Sequence, residues 1–336
     1  MEIVEGNSIY NNISDKNDIL YILLAGTTEV STIPGISDAG ASPELTKLTP
    51  VLDSEIIYAG KCISYNVVPM TENGIPTPSI ITRGSNQLSG IDILIVDSGM
   101  VQDPKIPFIK TGLGSAGNGS EKRALLHYWN AMEYGKYLGN LLDGKYKYIC
   151  ISESVPGGTT TAYTVLLSEG INEMTSSSMK DSPDGIKKAY AEKALSRKIN
   201  FRDDNDNIAE FGDYMMAIAL GISSAVKKST IFYAGGTQMA TVFYLDQKIN
   251  NKDNRYVFTT GYIMKDKEML MKKLVGSKLI YANMNFSGMD GLKYYDQGYV
   301  KEGTGFGAAF GISYLLGNDP EKIYESIKNT YKLFLK

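Results

Sequence analysis

The stretch Tyr148-Ile149-Cys150-Ile151-Ser152-Glu153-Ser154-Val155-Pro156-Gly157-Gly158-Thr159-Thr160-Thr161 decides the fold. An apolar, β-rich run at 148–151 passes through a Pro-Gly-Gly turn into a segment, 159–167, whose apolar residues fall at helical spacing. Strand, glycine turn and helix in that order read as a βα unit. The pattern repeats downstream, where 230–233 leads through Ala234-Gly235-Gly236 into a helical pattern over 238–245. Further strand-sized apolar runs lie at 19–24, 91–96 and 278–282. This alternation predicts an α/β fold with a mostly parallel, Rossmann-like sheet flanked by helices. Such sheets bind ligands at the carboxyl ends of their strands, which makes the quoted loop the first candidate for a site.

The chain has 336 residues, about two domains' worth of sequence. We expect a large α/β nucleotide-binding domain over 21–310, and a small helical domain assembled from 1–20 and 311–336. The last segment reads as an amphipathic helix with Ile323, Ile327, Tyr331 and Leu335 on one side. Exposed apolar stripes on terminal helices also make a homodimer the expectation.

Charge and composition exclude several classes. With 34 basic and 37 acidic residues the net charge is −3, so the basic footprint of a nucleic-acid binder is missing. The start, Met1-Glu2-Ile3-Val4-Glu5, lacks the basic opening of a signal peptide, and apolar runs are strand-sized. A cytoplasmic protein with no membrane partner is expected. Cys62 and Cys150 form neither a disulfide framework nor a C-x-x-C pair, so no metal is implied, and no cofactor. The lone His127, beside Tyr128 and Trp129, reads as packing or surface. Chemistry falls to carboxylates, hydroxyls, Lys, Arg and backbone amides.

Several sequence features qualify as site candidates. Pro156 to Thr161 follows a strand and opens a helix, with Gly157 and Gly158 permitting close approach and Thr159 and Thr160 adding hydroxyls. That suits a phosphate monoester, or else a tight turn with a Thr cap. Glu153 projects from the same strand end. Gly298 to Ala309 contains Glu302-Gly303-Thr304-Gly305, a single carboxylate among small residues. It reads as a general base whose basicity burial raises, or as a helix-capping Glu. Gly112, Gly114 and Gly117 match G-x-G-x-x-G, with a helical stretch expected over 120–138. The run before it, 106–110, is short and contains Pro107, which favours a glycine-rich substrate loop over a dinucleotide fingerprint. Asp97 ends the 91–96 run in a ligand-facing position or caps a turn, and Lys187 and Lys188 are solvated unless an anion draws one inward.

These loops, in this order, resemble the nicotinate-nucleotide–dimethylbenzimidazole phosphoribosyltransferase family, in its archaeal branch. Ile95-Val96-Asp97-Ser98-Gly99 resembles the family's Val-Val-Asp-x-Gly strand end. Glu153 to Thr160 resembles its Glu-Met-Gly-Ile-Gly-Asn-Thr-Thr loop. Glu192-Lys193-Ala194-Leu195, with Lys187 upstream, resembles its Lys-containing helix ending Glu-Arg-Ala-Leu. Glu302-Gly303-Thr304-Gly305 resembles its Gly-Glu-Gly-Thr-Gly loop. The likeness is firmest over 91–309. At the N-terminus the family's Ala-Gly-Asp-His-Gly-Val reads Ala25-Gly26-Thr27-Thr28-Glu29-Val30, and Gly35-Ile36-Ser37 resembles the Gly-Val-Ser near the bound base.

The resemblance implies transfer of the 5-phosphoribosyl group from nicotinate mononucleotide to a flat azole base, with inversion at C1′. Glu302 would be the base and Glu153 would stabilise the ribose. Gly157, Gly158, Thr159, Thr160 and Lys187 would hold the phosphate. Gly112, Gly114 and Gly117 would line the nucleotide, with Asp97 positioning that loop, while Ser37, Gly303, Thr304 and Gly305 would face the base. A homodimer is implied as well. A dinucleotide-dependent oxidoreductase using 112–117, a non-catalytic nucleotide-binding regulator, and a transferase with another acceptor are the competing readings.

Overall fold

Every residue of the strand Ile19–Ala25 is buried, and its side chains divide between two faces with the period of two that a pleated strand imposes. Leu20, Ile22 and Leu24 enter one core, while Ile19 and Tyr21 enter another on the opposite face. A strand apolar on both sides belongs inside a helix-covered parallel sheet. The computed structural model shows this sheet, describing residues 2–334 apart from 41, 68, 72, 198 and 200–203.

The sheet has seven strands: β1 (Val4–Gly6), β2 (Ile19–Ala25), β3 (Asp92–Asp97), β4 (Tyr148–Ser154), β5 (Thr230–Ala234), β6 (Arg255–Thr260) and β7 (Leu279–Ala282). Their order is β1-β7-β6-β5-β4-β2-β3, with β1 antiparallel to β7 and all other pairs parallel. The chain passes from β2 to β3 on one side, then to β4 on the other side of β2. The direction of winding therefore reverses at the β2/β4 pair, and ligand crevices open at such points.

The helices, in chain order, are α1 (Pro43–Ala59), α2 (Ser79–Ser89), α3 (Tyr128–Leu142), α4 (Gly158–Ser168), α5 (Asp184–Leu195), α6 (Asp204–Phe211), α7 (Tyr214–Ala225), α8 (Thr237–Ile249), α9 (Gly261–Val275), α10 (Phe306–Leu315) and α11 (Pro320–Lys332). Helices α3, α4, α7 and α8 cover one face of the sheet, and α2, α10 and α11 cover the other. Gly135, Gly139 and Gly221 let α3 and α7 approach closely: a Cβ on Gly135 would stand 2.2 Å from the Ile218 carbonyl oxygen.

Three sequence expectations meet corrections. Among the described residues, 2–20 contribute β1, two 3-10 turns and the start of β2, with no α-helix, and β1 is an edge strand of the main sheet. In α11, Ile323 and Ile327 are fully buried against α2 and α10, so the stripe expected to face a partner is covered within the chain. Leu335, placed on that stripe, lies outside the described residues. The helix expected over 120–138 begins only at Tyr128, because Arg197 donates to the carbonyls of Gly119 and Lys122 and holds the preceding segment irregular. His127 lies exposed at the cap of α3. Among the described residues no helix is long and apolar enough to cross a membrane.

Candidate active site

The loops that follow β2, β4 and β5 enclose a cleft at the carboxyl ends of the strands. Its floor is built by the β4–α4 turn. Gly157 has φ 79°, a left-handed value that glycine adopts freely. A Cβ there would stand 2.8 Å from Thr28 Oγ1, and one on Gly158 would stand 2.2 Å from the Gln238 amide. Gly158 N–H donates to the Val155 carbonyl at 2.9 Å, and the amides of Thr160 and Thr161 donate to Gly157. Gly157 and Thr159 N–H have no protein acceptor among the described residues, which leaves two open donors at the positive end of α4.

Glu302 occupies a loop pinned from several sides. Tyr21 Oη donates to the carbonyls of Thr304 and Gly305 at 2.5 and 3.0 Å, Thr304 N–H donates to the Glu153 carbonyl at 2.9 Å, and Thr260 Oγ1 donates to the Lys301 carbonyl at 2.6 Å. These contacts hold Val300 and Thr304 at φ 42° and 53°, where β-branched residues are strained and which the surroundings must enforce. Glu302 accepts from Gly303 N–H at 3.0 Å and from Gly307 N–H at 3.3 Å, at the start of α10. This carboxylate caps the first turn of α10 and also lines the cleft.

Glu302 and Glu153 flank the Gly235-Gly236 turn, where a Cβ on Gly235 would stand 3.9 Å from Glu153 Oε1 and one on Gly236 would stand 3.3 Å from Glu302 Cβ. Burial pushes the Glu302 carboxyl well above its ordinary range, with Glu153 adding to the rise and the Gly303 and Gly307 amides opposing it. Burial, then Asp213, push Glu153 up to about 8 against the Val155 amide. Desolvation without a facing cation favours the neutral acid. At neutral pH the site therefore favours protonated carboxyls, and a positive charge entering beside them favours their ionised forms.

Ser37, Glu153, Gly157, Gly158, Thr159, Glu302, Gly303 and Thr304 all line the cleft. Thr160 and Gly305 are structural: Thr160 is fully buried in α4, and a Cβ on Gly305 would stand 2.5 Å from Tyr21 Oη. Lys187 stands behind the wall, fully buried, donating to the Ser176 carbonyl at 2.6 Å, and burial pulls its ammonium down to about 7. Gly112, Gly114 and Gly117 do not line the cleft. Asp97 organises their loop, accepting from the amides of Gly99, Met100, Thr111 and Gly112. With no helix starting at Gly117, the glycines lack the strand-turn-helix setting that a dinucleotide fingerprint requires. The departures Thr27 and Thr28 are buried, and Thr28 Oγ1 donates to the Pro156 carbonyl, bracing the floor.

Sequence reasoning missed Asp53, Asp213, Gln238 and the 176–178 strip. Asp213 accepts from Thr161 Oγ1 at 2.7 Å and from Gln238 Nε2 at 3.1 Å, and burial pushes it up to about 6. In sequence it is a lone Asp before an apolar helix, with nothing around it that points to the cleft. Asp53 left a better signal, an acid set among Val51, Leu52, Ile56 and Ile57 on α1.

No family model matches the chain. A UPF0284 protein of Thermoplasma volcanium is 48% identical over 330 residues, 97% of each chain. One of Thermoplasma acidophilum is 39% identical across 100% of this chain and 99% of its own. The chain belongs to the UPF0284 family. This UPF0284 member also shares its fold with solved structures. Nicotinate-nucleotide–dimethylbenzimidazole phosphoribosyltransferase of Thermus thermophilus matches with TM-score 0.61 over 91% of this chain and 82% of that one, at 14% identity. CobT from the same organism matches with TM-score 0.63 over 91% and 83%, also at 14% identity.

Proposed function

We propose that this chain is a phosphoribosyltransferase that moves the 5-phosphoribosyl group from nicotinate mononucleotide to a benzimidazole-like or purine base. The observation that carries the reading is the pair of enclosed carboxyls, Glu302 and Glu153, on one cleft whose floor offers the open amides of Gly157 and Thr159. The fold shared with the Thermus enzyme supports the same class.

The nicotinate nucleotide carries its positive charge on the ring nitrogen bonded to C1′. Entering beside the two carboxyls, that charge favours their ionised forms. One azole nitrogen attacks C1′ from the opposite side, and the C1′–pyridinium bond breaks with its electron pair returning to the ring. The departing ring needs no proton. The azole N–H proton passes to Glu302, and inversion gives the α-nucleotide. Glu153 stabilises positive charge that develops on the ribose. The phosphate lies on Gly157 and Thr159, and its charge draws Lys187 behind Ser176 back to the ammonium form.

The test incubates the protein with nicotinate mononucleotide and a panel of benzimidazoles and purines, and reads products by mass spectrometry. Acceptor-dependent release of nicotinate with a new nucleotide is expected. Binding of the nucleotide without acceptor-dependent release would make the chain a regulator instead.

A further inference from the structure

The acceptor side of the cleft holds a carboxylate to which the transfer step assigns no role. Asp53 projects from α1, is 2% exposed, and lines the cleft. Thr77 Oγ1 donates to its Oδ1 and Ser154 Oγ to its Oδ2, both at 2.7 Å. A carboxylate offers about four acceptor sites, so these hydroxyls, with that of Ser79 close by, leave at least one open. Glu55, two residues along, is different in kind: it takes amide donors from Ile63, Ser64 and Lys105 and organises a loop. Asp53 accepts from no backbone N–H and from no cationic side chain among the described residues.

Its surroundings are those of a ring pocket. Ile36, Ala39, Ile75 and Pro78 are among the apolar residues that line the same cleft, and Ile75 and Pro78 flank the Thr77 that bonds Asp53. Pro78 abuts the Glu302 loop, since a Cβ on Gly303 would stand 2.8 Å from Pro78 Cγ. An acceptor whose N–H is within reach of Glu302 therefore lies against this wall. A ring carrying only methyl groups there would cover Asp53 and leave an open lone pair without a donor. A buried acceptor left unpaired weakens the binding of such a ring by about 10–100-fold.

We infer that Asp53 selects the acceptor, and that the base transferred carries a hydrogen-bond donor, such as an exocyclic amine, on the edge facing α1. This rests on the transferase reading. It narrows the substrate to donor-bearing azoles such as aminopurines, in preference to alkylated benzimidazoles.

Isosteric pairs test it: adenine against 6-methylpurine, and 5-aminobenzimidazole against 5-methylbenzimidazole, each with nicotinate mononucleotide as donor substrate. The wild type should favour the amino member of at least one pair by about 10–100-fold in kcat/KM. Asp53→Ala should bring that ratio to within about threefold of one. Asp53→Asn, which keeps the size of the side chain, should lower it partway, because a charge-assisted bond becomes a neutral one. Folding of each variant is checked by its melting curve, and Asp53→Asn carries the comparison if Asp53→Ala does not fold. A wild-type ratio near one in both pairs overturns the inference, as does a ratio that survives both substitutions. If no acceptor in either pair releases nicotinate, the transferase reading itself fails and takes this inference with it.

Discussion

Glu153 sits where its charged form is disfavoured, and the consequence is measurable without any substrate. Its carboxyl titrates near 8 in the folded chain and near 4.5 when unfolded. Between those values the folded state binds more protons, so stability is fully present below the unfolded value and is lost as pH rises. Asp213 acts in the same direction up to about 6. Lys187, pulled down to about 7, acts oppositely above that pH, so pH 6–7 lies between the two. Glu153→Gln should remove about 1.4 kcal/mol of pH dependence per unit across it. Denaturant unfolding at several pH values checks this; an unchanged slope would mean that Glu153 is already ionised at pH 6. Glu302→Gln should bind nicotinate mononucleotide normally and lower turnover by roughly 10²–10⁴, and near-normal turnover would remove it as the base.

At the scale of elements, the β4–α4 unit was legible because every local signal agreed: an apolar strand, a Pro-Gly-Gly turn and an apolar-periodic helix. β6 was not legible. It opens with Arg255, fully buried and donating to the Ser223 and Val226 carbonyls and to Asn254 Oδ1, and a buried, fully partnered arginine looks like a surface residue in sequence. The G-x-G-x-x-G segment erred in the other direction, since its glycines serve a loop built on Asp97. The two glycine loops can be separated by substitution. Gly157→Ala should cost about 2 kcal/mol, from its left-handed φ and its contact with Thr28, and should raise the nucleotide KM. Gly112, at φ 70° with nothing within 4 Å of a built Cβ, should cost about 1 kcal/mol as Ala and leave KM unchanged. Equal effects on KM would place the 112–117 loop at the nucleotide after all.

The whole molecule shows what composition and pattern leave open. The order of loops around the cleft followed from motifs, whereas Asp53 and Gln238 reach it, with Asp213 behind Gln238, through tertiary contacts that sequence spacing does not encode. Nor did the pattern show which apolar stripe stays exposed. On α3 and just before it, Leu126, Trp129, Tyr134, Tyr137 and Leu141 are exposed by 73, 54, 40, 68 and 45%. Together they make a patch on the order of 500 Å², the size at which the largest apolar patch of a monomer is often functional. We propose that a second copy covers it through an isologous contact. Sedimentation should show a dimer for the wild type and a monomer of unchanged melting temperature for the Trp129→Glu, Tyr137→Glu double variant. A monomeric wild type, or a variant that stays dimeric, would count against this surface.

The central claim is that the cleft transfers a phosphoribosyl group with inversion, using Glu302 as the base. It is tested most directly by NMR assignment of the product made from nicotinate mononucleotide and a donor-bearing azole. One equivalent of nicotinate per α-configured nucleotide, formed by the wild type and lost in Glu302→Gln, is the predicted result. A β-configured product, or nicotinate released at the same rate without an acceptor, would contradict it.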